Sequence, residues 1–366
     1  MEQDMTAHIR LVAQLEGHDD RAWHVAWNPK RPILASCSTD KTVRMYHYSS
    51  NLRKEHGGDE DGEQMFVHST TIPTGHAKTV RTIAWSPSGK TLATASFDSN
   101  IGIWAQDEDD GEVDLAGGGA EWECMSLLEG HETECKSVAY SAGGNLLASC
   151  SRDKTVWVWE VHPDYDFECM GVLMEHSQDV KCVAWHPTEE ILASASYDDT
   201  IKLYLDDPSE DWYCFATLSG HESTVWSLAF SPDGRFLASS SDDLTVRIWE
   251  RVQEHKWECV EVLEGHERSI YSVSWGRGQR TREGSLGWLA STGGDGLVLI
   301  WELTIASPAA GGNKSTLAKK LLARLPSAHD VADVNSIAWC PREGYNDTFA
   351  TAGDDGIVKV WKVEFD

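Results

Sequence analysis

The sequence predicts an all-β fold: a seven-bladed β-propeller forming one domain over residues 1–366, closed by an N-terminal strand that completes the last blade. Three observations carry this reading. Seven histidines are each followed at a near-constant distance by an aspartate. The pairs are His18 and Asp40, His76 and Asp98, His131 and Asp153, His176 and Asp198, and His221 and Asp243, all 22 apart, then His266 and Asp295, and His329 and Asp355, with extra residues between. Six residues after each aspartate stands an aromatic ring: Tyr46, Trp104, Trp159, Tyr204, Trp249, Trp301 or Trp361. The chain between these landmarks reads as short strands and tight turns, as in Val225 to Phe230, Ser231-Pro232-Asp233-Gly234, Phe236 to Ser240, Thr245 to Trp249 and Trp257 to Leu263. Four-stranded units repeating every ~40 to 45 residues are propeller blades.

Taken in order, the elements account for closure. Ile9 to Leu15 precedes the first Gly17-His18, and the last blade runs out after its third strand at Trp361 to Val363. Ile9 to Leu15 is therefore expected to supply the missing fourth strand and so remove the free edge. Within a blade, the polar set forms a chain. An indole N–H only donates, a carboxylate only accepts, and a hydroxyl or neutral imidazole does both. A relay from Trp159 through Ser151 and His131 to Asp153 would satisfy every member, and such networks are favourable when complete. Gly293 and Gly353 replace the serine in blades six and seven, where the network is expected to be weaker or water-bridged. The seven histidines are thus read as scaffold, neither ligands nor bases. Their Gly-His openings and Trp-Asp-type endings resemble the WD-repeat family over nearly the whole chain.

Nine cysteines are explained by the same period. Cys124, Cys169, Cys214 and Cys259 recur every 45 residues in the fourth strand, so they point alike and lie far apart. They cannot share a metal or a disulfide and are expected to be small buried hydrophobes, as are Cys37 and Cys150 in the second strand. No metal or cofactor is expected. The odd cysteine count, with neither a leader nor a long apolar run, fits a soluble protein of a reducing compartment. Cytoplasm fits, and a nucleus is compatible. The net charge of −28 repels phosphate and anionic lipid, so neither nucleic acid nor membrane is an expected partner.

Insertions distinguish the two ends of the ring. Residues 47–66 and 105–121 are acidic or glycine-rich, carrying Asp59-Glu60-Asp61 and Asp107-Glu108-Asp109-Asp110, while residues 276–287 carry Arg277, Arg280 and Arg282. In a meander the connections from strand one to two and from three to four share an end, so this decoration lies on one face. The opposite face is made of short loops. Its exposed positions are those before each aspartate, among them Phe97, Arg152, Tyr197, Asp242 and Asp354, and those around the start of strand one: Arg21, Trp23, Arg81, Lys136, Lys181, Trp226 and Tyr271, with Glu134, Asp179 and Asp333. Basic and aromatic residues dominate this set in an otherwise acidic chain. Arginine and large aromatics are what protein interfaces enrich. A docking site for an acidic, aromatic-bearing peptide or subunit is inferred, with Arg152, Arg21, Trp23, Arg81, Phe97, Lys136, Lys181, Tyr197, Trp226 and Tyr271 as its contacts. No nucleophile with a base and no paired carboxylates stand in the loops, so binding rather than catalysis is expected.

Longer stretches are more individual. Ser149-Cys150-Ser151-Arg152-Asp153-Lys154-Thr155-Val156-Trp157-Val158-Trp159-Glu160, Glu175-His176-Ser177-Gln178-Asp179-Val180-Lys181 and Ser194-Ala195-Ser196-Tyr197-Asp198-Asp199-Thr200 resemble the WD-repeat component of the cytosolic iron-sulfur protein assembly machinery. So do Ser96-Phe97-Asp98-Ser99, Ile103-Trp104-Ala105 and Thr224-Val225-Trp226. The resemblance implies a scaffold of the targeting complex that joins apo iron-sulfur client proteins to partner subunits and carries no cluster itself. Arg152 matches the top-face arginine of that family. The inserts at Ser49 to Gln64, Asp107 to Ala120 and Gly276 to Gly287 depart from compact relatives. Two alternatives fit less well. A substrate receptor of a cullin-type ubiquitin ligase would carry a Trp-Asp-x-Arg box, which Trp159-Glu160-Val161-His162, Trp249-Glu250-Arg251-Val252 and Trp301-Glu302-Leu303-Thr304 all lack. A histone-tail reader would want an acidic channel mouth, which Arg152, Arg81 and Lys181 oppose.

Overall fold

The computed structural model describes residues 7–49, 65–106, 121–207, 211–279, 284–307 and 314–365. Most of the insertion at 47–66, nearly all of that at 105–121 and residues 280–283 of that at 276–287 lie outside the described residues. Among the described residues, 28 strands form seven antiparallel sheets of four. Blade five shows the plan: Val225–Phe230 innermost, then Phe236–Ser241, Val246–Gln253 and, outermost, Lys256–Leu263. Second strands are buried along their length, as Leu146–Ser151 is, because each lies inside a sheet that packs on both neighbours. That double burial explains their small, apolar make-up.

The ring closes as expected. Ala7–Leu15 pairs antiparallel with Val358–Phe365, from Ala7 opposite Phe365 to Leu15 opposite Val358, and the sheet continues through Thr348–Gly353 to Val334–Trp339. Between blades, the innermost strands are latched by side chains. Trp27 Nε1 donates to the Ala338 carbonyl at 2.9 Å, Trp85 Nε1 to Ala26 at 3.1 Å and Trp185 Nε1 to Ala139 at 3.0 Å. The hydroxyls of Ser336, Ser137, Ser227 and Ser272 accept backbone N–H groups of Val25, Val183, Val273 and Ile337 in the next blade.

A histidine–hydroxyl–aspartate relay exists in every blade, joined by the motif aromatic in blades two, three, four, five and seven, but its serine is two residues earlier than the sequence suggests. In blade three Trp159 Nε1 donates to Ser149 Oγ at 3.1 Å, Ser149 Oγ meets His131 Nε2 at 2.9 Å, and His131 Nδ1 meets Asp153 Oδ2 at 2.9 Å. The carboxylate can only accept, which fixes the proton on Nδ1 and makes the hydroxyl the donor to Nε2. Ser151 instead caps the turn, its Oγ donating to the Thr133 carbonyl and receiving the Asp153 N–H. Alternation along the strand explains the error, since residues 149 and 151 share a face.

Gly293 and Gly353 therefore replace the turn cap, not the relay hydroxyl, and the histidine–hydroxyl–aspartate contacts of blades six and seven are intact. His266 reaches Ser291 at 2.9 Å and His329 reaches Thr351 at 2.8 Å. Without a serine cap, Asp295 and Asp355 each face the histidine with both oxygens, at 2.9 to 3.1 Å. A Cβ on Gly293 would lie 1.9 Å from the Ser269 carbonyl oxygen, closer than any side chain tolerates. Restoring the repeat with Gly293→Ser should thus destabilise the ring by about 2 kcal/mol or more. Urea unfolding checks this, and an unchanged midpoint would show that the backbone there yields freely.

The fourth-strand cysteines are also corrected. Cys124 and Cys169 are exposed, and Cys214 and Cys259 half-buried, whereas Cys37 and Cys150 are buried as expected. The outermost strand has solvent on its far edge. It also carries a one-residue bulge just after each cysteine, seen as the shift between Trp104 opposite Cys124 and Ile103 opposite Ser126. Each thiol spans that bulge to the carbonyl two residues on, at 3.5, 3.8, 3.4 and 3.6 Å for Cys124, Cys169, Cys214 and Cys259.

Candidate functional site: the cation–aromatic mouth of the channel

Every innermost strand breaks register by one residue at the same end of the ring. The bulged residues are Trp23, Arg81, Lys136, Lys181, Trp226, Tyr271 and Asn335. A bulge re-aims one side chain out of the alternation of the strand, and here it turns seven of them to the channel mouth. A second repeated feature fixes their neighbours. The N–H of the residue before each motif aspartate donates to a carbonyl two residues ahead of the bulge: Thr39 to Arg21, Phe97 to Thr79, Arg152 to Glu134, Tyr197 to Asp179, Asp242 to Thr224, Gly294 to Ser269 and Asp354 to Asp333, all within 2.9 to 3.1 Å. The face is thus built seven times by one backbone arrangement, and only its side chains differ.

Those side chains interlock across blades. Arg81 lies 4.8 Å over the Trp23 ring, Lys136 4.2 Å over Phe97, and Lys181 5.2 and 5.1 Å over Tyr197 and Trp226. Trp226 meets Tyr271 edge-on at 5.5 Å. Each cation stacked on a ring face gains about 0.5 to 2 kcal/mol, more as water is excluded. Hydrogen bonds hold the rings: Trp23 Nε1 to Thr39 Oγ1 at 2.8 Å, Trp226 Nε1 to Asp242 Oδ1 at 2.6 Å, and Tyr271 Oη to Asp333 Oδ2 at 3.4 Å.

Charge is divided around the mouth. Blades two to four supply Arg81, Lys136, Arg152 and Lys181. Blade seven supplies Asp333 and Asp354, with Asn335 donating to Asp354 Oδ1 at 2.8 Å. Burial lowers the Lys181 pKa against the pull of Asp179, and burial followed by Arg81 brings His24, just inside the channel, down to about 4. Burial alone would raise Glu134, but the Lys136 ammonium bonded to it and the nearby Arg152 hold it below its ordinary value.

A cavity of about 270 Å³ sits at the centre, lined by Arg21, Trp23, Arg81, Phe97, Lys136, Lys181, Trp226 and Tyr271, together with Asp333, Asn335 and Asp354. Eight of the ten residues expected from sequence therefore converge on one cavity. Arg152 and Tyr197 do not line it. They stand on the rim, with the Arg152 side chain 59% exposed and 3.6 Å from Glu134, and Tyr197 54% exposed beneath Lys181. Asn335 was missed, although it occupies in blade seven the place that Tyr271 has in blade six. The repeat itself could have found it.

A family model described as "WD domain, G-beta repeat" matches residues 9–47, 67–105, 122–160, 167–204, 212–250, 257–302 and 319–362, one match per blade and the greater part of the chain. Among curated proteins, the chain is 52% identical to "Probable cytosolic iron-sulfur protein assembly protein 1" of Mycosarcoma maydis over 43% of this chain and 39% of that protein. It is 55% identical to the protein of the same name from Malassezia globosa over 30% of each chain, and 37% identical to that from Scheffersomyces stipitis over 43% and 42%. The chain thus spans less than half the length of the curated relatives it matches. The seven matched repeats, the seven sheets and the histidine–hydroxyl–aspartate relay agree, and the chain belongs to the WD-repeat family.

Proposed function

We propose that this propeller is a non-catalytic adaptor of cytosolic iron-sulfur protein assembly, working in the cytosol, whose top face docks an acidic, aromatic-bearing segment of a partner subunit or of an apo iron-sulfur client protein. The relatives' names support the pathway. The observation that carries the docking face is the bulge-built ring: aromatic and cationic side chains concentrated at one mouth of a molecule whose net charge is −28. Large rings and arginines that expose area at little entropic cost are the usual energetic centres of interfaces. The motif histidines support the non-catalytic reading, since both nitrogens of each are committed to a hydroxyl and a carboxylate. A reader of basic tails fits this mouth poorly, because Arg81, Lys136 and Lys181 would repel its ligand.

Affinity capture from cell extract tests the reading. Arg152→Glu reverses charge at an exposed rim position, where stability should change by no more than about 0.5 kcal/mol. The wild-type chain is expected to recover iron-sulfur assembly subunits and apo iron-sulfur enzymes, and the variant to lose the enzymes while melting alike. Equal recovery by both would remove the top face from the proposal, and recovery of no iron-sulfur protein by either would remove the pathway.

A further inference from the structure

Nearly every cation around the mouth has a carboxylate partner. Glu134 takes both Lys136 and Arg152, Asp179 faces Lys181 at 3.4 Å, Asp354 faces Arg21 at 3.3 Å and Asp333 faces Arg268 at 3.7 Å. Arg81 differs. Among the described residues no carboxylate pairs with it, and the Trp23 ring is its one close partner. Its surroundings are also short of partners: the neighbouring Thr82 hydroxyl and His24 Nδ1, both on the channel wall, are buried with no hydrogen bond. Burial lowers the guanidinium's pKa, with thiols rather than carboxylates as its nearest acidic groups.

A partly buried guanidinium left without a counter-charge is costly to the fold. Such a group stays where a ligand completes it. We propose that Arg81 is the anion receptor of the cavity: the docking segment places a carboxylate on its planar fork and an aromatic side chain against Trp23, Phe97, Trp226 and Tyr271, while Arg152 at the rim steers the approach. This rests on the reading of the top face as a docking site. The fork accepts a carboxylate bidentately. A monoanion suits the mouth better than a doubly charged phosphate, because Glu134, Asp179, Asp242, Asp333 and Asp354 surround the same opening and repel added negative charge.

The proposal separates binding from stability, because removing an uncompensated, partly buried charge should not harm the fold. The probes are an acetylated, amidated tripeptide of phenylalanine, glutamate and phenylalanine, its glutamine counterpart, and inorganic phosphate at matched ionic strength. Binding is read from the indole N–H signals of ¹⁵N-labelled full-length chain. For the wild type the glutamate peptide is expected to bind at least tenfold more tightly than the glutamine peptide or phosphate. Arg81→Met is expected to lose that preference while melting at the same or a higher temperature, and Arg81→Lys to keep part of it. An unchanged preference in both variants would overturn the assignment of Arg81 and leave the docking face standing. Binding of neither peptide to the wild type would overturn the docking face as well. A large fall in melting temperature for both variants would show the guanidinium to be structural, and phosphate binding more tightly than the glutamate peptide would overturn the carboxylate.

Discussion

Acidification from pH 5 to pH 2 should unfold this protein steeply, with as many as seven aspartates each taking up a proton. Asp40, Asp98, Asp153, Asp198, Asp243, Asp295 and Asp355 all have lowered pKa values in the folded state, Asp98 at about 2. Burial opposes this in every case. Hydrogen bonds from the histidine and from neighbouring N–H or hydroxyl groups, with the attraction of the histidine, together outweigh it. The unfolded pKa is ~3.9, so between that value and the lower folded values the unfolded chain binds more protons and stability rises with pH. The stabilisation is complete above about pH 5 and is lost as pH falls through the folded pKa values. One group changes stability by at most ~1.4 kcal/mol per pH unit. Even half of that, summed over seven equivalent sites, comes to about 10 kcal/mol over two pH units, comparable with a typical total stability of ~5 to 15 kcal/mol. Urea midpoints at pH 7, 5, 4 and 3 measure it: little change is expected between 7 and 5, and collapse below 4. A midpoint that held steady from pH 5 to 3 would mean that the relays do not stabilise the ring electrostatically.

The same relays explain why the fold was legible. A buried histidine must find an acceptor and a donor at fixed geometry, so its distance to the aspartate stays nearly constant along the chain, and seven copies of that distance reveal seven blades. The order of the strands and the closure of the ring followed, while third strands run further than read, to Gln253 in blade five and Phe365 in blade seven. What failed was fine register. Ser149 and Ser151 point the same way and differ only in depth, which no periodicity of two resolves, and the glycines of blades six and seven were misread in consequence. The fourth-strand cysteines have an apolar look, yet the outer edge of a blade faces water, and a bulge turns them outward. At the mouth, sequence grouped eight residues that line one cavity, because insertions were read as marking the other end of the ring. It could not show that the innermost strands bulge there, and so it singled out Arg152 and left Arg81 as one residue of a set. The structure distinguishes them: one is an exposed arginine sharing a carboxylate, the other a partly buried arginine with no carboxylate partner among the described residues.

Deleting residues 1–15 should cost more than half of the folding free energy and leave an aggregating chain. Ala7–Leu15 contributes eight registered pairs to Val358–Phe365, and Arg10 Nε reaches Glu364 Oε1 at 3.0 Å. Its loss would do more than remove one strand. Val358–Phe365 would become an open edge with its backbone groups unpaired, the kind of edge that recruits other chains. Leu15 would leave the cluster it shares with Val25, Trp27, Val358 and Val360, which joins the first blade to the last. A ring differs from an open stack in that every blade is held from both sides. Opening it at one seam leaves the Trp27 bond to Ala338 and the Ser336 bond to Val25 as two of the polar latches across that seam, each worth about 1 kcal/mol. Thermal unfolding of the truncated chain is expected to start far below that of the full chain and to broaden. Adding a synthetic peptide of residues 1–16 should restore part of the loss in proportion to its concentration, since binding the folded state alone stabilises it by mass action. A truncated chain that still melted sharply within a few degrees of the parent would show that six complete blades hold the seventh without closure.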